Sequence, residues 1–155
     1  MLHTTFRKAK EAGACASSYK KMAKALGRVR KYGLDTPIPL SNILEVCGLD
    51  DTLWSLQIVL EPADREIRLF ACDCAEKVLP LFEKQYPNDD RPRQAIIIAR
   101  QFANGKATKE DLAAARVTAC DAWDATSDAA RVASWAASWA AEREWQTQRV
   151  KELIG

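Results

Sequence analysis

The chain has 155 residues, of which 48% are hydrophobic and 28% charged, with a formal net charge of +2. That length suits one domain able to bury roughly 70% of its unfolded surface without metals or cross-links, and the composition excludes a disordered tail. Charged or strongly polar residues interrupt every apolar stretch before the ~18 residues that a membrane span requires, and the start MLHTTFRKAK lacks the apolar core of a signal peptide, so a cytoplasmic protein without a membrane partner is expected.

The first 31 residues hold nine Lys or Arg against the single Glu11. Along them Phe6, Ala9, Gly13, Ala16, Tyr19, Met22, Leu26 and Val29 recur at three- or four-residue steps, as one face of a helix requires. Gly13 and the pair Ser17-Ser18 weaken the case for one unbroken rod, and Gly33 ends it. The segment Asp35-Thr36-Pro37-Ile38-Pro39 cannot be helical inside, because proline restricts its predecessor and lacks a donor. Two short helices follow, about Leu40 to Cys47 and Asp50 to Leu60, separated by Gly48 as a left-handed cap. Pro62 suits the first turn of a helix carrying Ile67, Phe70, Ala71, Cys74, Val78 and Leu81 on one face. Pro80 predicts a kink or break near Val78, with a resumed turn up to Tyr86.

Asn88-Asp89-Asp90-Arg91-Pro92 has the form of a helix start, with aspartate as cap and proline in the first turn. The helix Arg93 to Ala103 ends at Asn104-Gly105, and Thr108 with Asp111 then forms a capping box. From there to Leu153 the sequence contains no Gly or Pro and is rich in alanine. The tandem SWAA at 134–141 places Trp135 and Trp139 four apart on one face, which favours a core or helix–helix contact, including one between two copies of the chain. A bend near Thr126-Ser127 would divide the segment into a hairpin. The expected fold is all-α, a single compact bundle of about six helices with this long Ala/Trp-rich segment at its end, either one helix or a hairpin. Within it residues 1–33 form a basic N-terminal region and residues 34–155 the helical core.

The five cysteines, Cys15, Cys47, Cys72, Cys74 and Cys120, follow no framework and are expected as free, mostly buried thiols. In FACDCAEKV, Cys72 and Cys74 are two apart, hence about 200° apart on a helix, and cannot share a metal or a bond. That places Cys74 in the core, with Cys72 and Asp73 facing elsewhere. The single histidine, His3, lies near a terminus expected to be loose, and Cys-x-x-Cys is absent, so no metal, cofactor or Cys–His nucleophile is expected. No phosphate-cradling Gly-rich loop or Gly-x-Ser-x-Gly turn occurs either, and an enzyme is not expected.

Two charged features remain. Residues 41–90 hold eleven Asp or Glu against Arg65, Arg68, Lys77 and Lys84. Asp73 and Glu76 share a helix face, which Glu66 or Glu83 extends, giving either a solvated edge, a pair for acid–base work or for magnesium, or a face for a basic protein. At the basic end, Lys20, Lys21, Lys24, Arg28, Arg30 and Lys31 put several cations on one side, enough for phosphate contact without any base-reading motif. Basic leader and acidic middle either complement each other within one fold or serve two kinds of partner.

RLFACDCAEKVLPLFEKQYPNDDRPRQAI, ARQFANGKATKEDLAAAR and EREWQTQRVKEL, spread over residues 68–153, resemble the alanine-rich, all-helical immunity proteins of bacterial toxin loci, which have phage-encoded relatives. YGLDTPIPLSNILEVCGLDDTLWSL is similar to the phage-type versions. The resemblance implies a non-enzymatic protein that binds and neutralises a toxin or defence effector. It carries over Asp73, Glu76, Asp89, Asp90, Arg91, Arg93 and Arg100, either as partner contacts or as caps and ion pairs inside the fold. The other reading is a binder of phosphate ligands, a nucleic acid or a nucleotide signal, through the basic leader.

Overall fold

A computed structural model describes the backbone of residues 1–124 and 129–155, and the side chains of residues 1–118 and 142–155. The described residues form nine α-helices, one 3-10 turn and a ribbon of two short strands, so the all-α expectation holds. They divide into two compact units, Met1–Ala63 with Thr147–Gly155, and Asp64–Gln146.

In the first unit, β1 (His3–Thr4) pairs antiparallel with β2 (Ile38–Pro39), matching His3 to Pro39 and Thr4 to Ile38. Around this ribbon stand α1 (Phe6–Glu11), α2 (Ala16–Ala25), α3 (Val29–Tyr32), α4 (Leu40–Cys47), α5 (Leu49–Ser55), the 3-10 turn Leu56–Ile58 and the last turns of α9 (Ala129–Ile154). The amide of Leu2 donates to the Ile154 carbonyl at 3.0 Å, and its carbonyl accepts from Leu40 at 2.9 Å. His3 is therefore not at a loose end. Its amide and Nδ1 lie 2.8 and 2.6 Å from the two carboxylate oxygens of Glu61. A chain start held by strand pairing on one side and a helix end on the other has no freedom to fray.

The apolar periodicity from Phe6 to Val29 is divided among three helices rather than one. Gly13, at φ +76°, follows α1, and Gly27 and Arg28, at φ +78° and +74°, separate α2 from α3. Left-handed residues end helices, and glycine takes that conformation at no steric cost. Ser17 and Ser18, by contrast, sit inside α2. Of the periodic residues Phe6 and Met22 are buried, whereas Gly13 and Ala16 are exposed; around Phe6 stand Tyr19, edge-on at 5.1 Å, and Tyr32 at 6.1 Å. Gly48, at φ +94°, closes α4 and opens α5 as its position predicts.

The second unit holds α6 (Asp64–Gln85), α7 (Arg91–Ala103), α8 (Lys109–Asp124) and the earlier part of α9. The capping box forms, with the Asp111 amide donating to Thr108 Oγ1 at 3.1 Å and the Thr108 amide to Asp111 Oδ2 at 2.9 Å. α6 continues through Pro80 without the expected break. Next to Pro80, Leu79 is buried with Cys72 and Ile96, and this packing offsets the single hydrogen bond that proline removes. The same packing corrects the face assigned to the cysteines. Cys72, not Cys74, is buried, since the stripe facing α7 is Cys72, Ala75 and Leu79, while Cys74 is half-buried and Leu81 is exposed. Asp73 also turns toward α7 rather than away from it.

The Ala/Trp-rich segment contributes two helices, α8 and α9. The bend placed at Thr126-Ser127, the side chains of Trp135 and Trp139 with any contact between copies through them, and Cys120 lie outside the described residues.

Candidate partner-binding surface

The charged residues singled out in the second unit come together along one edge of α6 and α7. Arg93 holds Glu83 by two parallel bonds, Nε to Oε1 at 2.6 Å and Nη2 to Oε2 at 2.7 Å. Arg100 Nη2 reaches Asp73 Oδ1 at 2.7 Å and Glu76 Oε2 at 2.6 Å. Arg65 Nη2 donates to Asn104 Oδ1 at 2.8 Å. Residue numbers fall along α7 as they rise along α6, so the helices run antiparallel and their facing side chains form a ladder. The helical period explains the geometry. Asp73, Glu76 and Glu83 recur at three and seven residues, as do Arg93, Arg100 and Asn104 at seven and four, each set forming one stripe.

These pairs set the local electrostatics. The Arg93 guanidinium holds the Glu83 carboxyl below its ordinary range, and Glu83 in turn raises Arg93. Arg100 is raised chiefly by its bond to Asp73. In the joint between the helices Arg91 grips Asp89 at 2.8 and 2.6 Å, and Asp89 also accepts from the Arg91 amide at 3.2 Å, so its carboxyl is held low by that same arginine. Asp90 precedes α7, and its Oδ2 accepts from Gln94 at 3.2 Å rather than capping the helix end. The middle of the chain is thus less acidic at this surface than its composition suggests, because the arginines lie on the carboxylates.

Between the Glu76–Arg100 and Glu83–Arg93 pairs the stripes carry two uncharged residues, Pro80 on α6 and Ile97 on α7. Both are exposed, Ile97 at 40%. Sequence reasoning read Pro80 only as a helix kink or break and passed over Ile97. A signal existed for Ile97, since Ile96, Ile97 and Ile98 are consecutive and three residues rotating by about 100° each cannot all face one core. On another face of α6 and α7, toward α8, lies an apolar cavity of about 420 Å³ lined by residues including Ala71, Val78, Phe82 and Leu112, with Arg68 and Arg116 among its walls.

The six cations of the leader lie in the first unit, on α2, α3 and the joint between them, and all are exposed. None of their side chains makes a hydrogen bond or ion pair with a described residue. Arg7 of the same unit differs, held by Asp35 at 2.6 and 2.8 Å. Cysteine burial is more varied than expected. Cys15 is exposed at the start of α2, and the Ser17 hydroxyl 2.9 Å away, helped by the Ser18 and Ser17 amides, brings its thiol down to about 7. Burial raises Cys47 and Cys72. Among the described residues no three His, Cys, Asp or Glu gather as metal ligands, and no helix is long and apolar enough to cross a membrane.

The described residues are thus those of an all-α protein whose second unit carries interhelical charge pairs on either side of Pro80 and Ile97. The family described as Imm-5 like putative immunity protein matches residues 60–142, more than half of the chain, and the chain belongs to that family. The match covers nearly all of the second unit, ladder included. No curated protein and no solved structure matches the chain.

Proposed function

We propose that the chain is a non-enzymatic binding protein that neutralises a toxin or defence effector by direct association, through the α6–α7 edge. The observation that carries this reading is the exposed pair Pro80 and Ile97 set between two interhelical ion pairs, inside the unit that the family match covers. Protein interfaces concentrate their energy in a small apolar centre with a polar rim that excludes water. The ladder supplies such a rim already ordered, which reduces the entropy lost on association. Proline adds an acceptor, because Pro80 has no N–H to donate to the Glu76 carbonyl one turn earlier. Half-exposed arginines and carboxylates on both sides of the spot would fix the orientation of a charged partner.

The test is co-expression with any toxin that a neighbouring gene encodes. A stoichiometric complex and cell survival are expected with the parent chain. Ile97→Glu, at an exposed position, should keep the helical signal and melting temperature while weakening the complex at least about tenfold, the lower range for an interface anchor. No complex with the parent chain would rule out direct association, and an unweakened Ile97→Glu complex would rule out this edge.

A further inference from the structure

We propose that Lys20, Lys21, Lys24, Arg28, Arg30 and Lys31 form a docking surface for the phosphate backbone of duplex DNA. Three observations carry it. First, no acidic residue occurs between Glu11 and Asp35, and the six side chains are exposed without an ion-pair or hydrogen-bond partner among the described residues. Other arginines differ: Arg7, Arg91, Arg93 and Arg100 lie on carboxylates, and Arg68 lies over the Phe102 ring. The leader gathers six uncommitted cations with no acidic residue among them.

Second, Arg28 stands at φ +74° and ψ 146°, and it is the non-glycine residue with positive φ among the described residues. Glycine would adopt that conformation freely, and Gly27 beside it does. A cation kept where its backbone is strained, in the joint between two helices that carry the other five, is the pattern of a residue retained for its side chain.

Third, the form of the surface selects the ligand. A small phosphate ligand is held by donors that converge and are shielded from water, whereas all six cations are exposed. Single strands are bound by aromatic faces on which bases stack. Here Tyr19 and Tyr32 pack edge-on with Phe6, and the Tyr32 hydroxyl donates to the Pro37 carbonyl at 2.8 Å. What remains is charge alone. Duplex DNA presents one phosphate per ~1.7 Å of axis, so cations anchored along α2 and α3 each find a phosphate without base readout.

Fluorescence anisotropy with a labelled 20-base-pair duplex, the corresponding single strand and polyglutamate tests the assignment. The duplex is expected to bind most tightly, with log K falling against log salt at a slope approaching about −5 if all six cations engage. Lys20→Glu, Lys21→Glu and Lys24→Glu together should weaken duplex binding by at least about 100-fold at low salt. Should that variant fail to fold, the three Lys→Gln changes should reduce the slope by about three, and Arg28→Gly, which suits its backbone, by about one. Unchanged affinity in the folded charge variants overturns the proposal. So does tighter binding of the single strand, or of polyglutamate, which would identify an acidic protein as the ligand. The effector complex proposed above involves the other unit and should survive these changes, so the two readings fail separately.

Discussion

Cys15 and Cys72 show how far one residue type diverges with its setting. Cys15 is exposed, and the Ser17 hydroxyl with the Ser18 and Ser17 amides stabilises its thiolate, giving a value of about 7. Cys72 is buried beside Leu79 and Ile96, with its Sγ 4.0 Å from the Ile96 carbonyl, and desolvation raises it. The thiolate is the reactive form, so among the described cysteines alkylation of the native protein should begin at Cys15, at a rate that rises through pH 7 and levels off above it. Ser17→Ala removes the largest cause and should move that rise toward higher pH. Cys72 should react only on unfolding, and peptide mapping after a brief iodoacetamide pulse distinguishes the two. The position of Cys72 was misread from the sequence for a definite reason. Phe70, Cys74, Val78 and Leu81 and the observed Cys72, Ala75 and Leu79 are both acceptable helical stripes, and only the location of α7 decides between them.

At the scale of elements, the joints were more legible than the faces. Gly13, Gly48, Asn104-Gly105 and the Thr108–Asp111 box all mark helix ends as their backbone chemistry requires. The ladder was legible only as a list of charges. Asp73 and Glu76 were known to share a face, but their meeting Arg100, and Glu83 meeting Arg93, depends on the antiparallel register of α6 and α7, which is a tertiary fact. Pro80 misled because proline's local cost was weighed without the packing of Leu79 and the ion pairs before and after it. This ladder has a pH signature. The Glu83 carboxyl, held by Arg93, and the Asp89 carboxyl, held by Arg91, both titrate below their ordinary values of 4.5 and 3.8. A carboxyl depressed in the folded state binds fewer protons there than in the unfolded chain. Its stabilising contribution is therefore fully present above the unfolded value and is lost as pH falls through the folded one. The melting temperature should hold from neutrality to about pH 5 and fall below about 4.5. Glu83→Gln should lower it at neutral pH and flatten the acid limb, and a limb of unchanged steepness would assign the acid sensitivity to other carboxylates.

For the whole molecule, the two ends of the sequence belong to one unit, which no local pattern announces. Val150 and Ile154 are 0% and 2% exposed, and the Ile154 carbonyl receives the Leu2 amide. Leu2 then passes the constraint to Leu40 at the start of α4, and the Leu60 amide donates to the His3 carbonyl at 2.8 Å. The basic surface on α2 and α3 thus belongs to a unit that is complete only with the chain's last nine residues, Thr147–Gly155. Full burial of an aliphatic side chain contributes about 1.5–3 kcal/mol, so removing these residues forfeits about 3–6 kcal/mol from Val150 and Ile154 alone. That is a large part of the 5–15 kcal/mol that ordinarily separates folded from unfolded chains. Truncation after Gln146 should therefore abolish hydrogen-exchange protection at Thr4 and Leu40 and lower the denaturation midpoint. Val150→Ala and Ile154→Ala together should reproduce most of the loss in the full-length chain. If the truncated chain kept its protection while the double variant lost it, the damage would lie in the cavities left by the two side chains rather than in the missing segment. With protection lost in both, residues 147–155 are the element that closes the first unit.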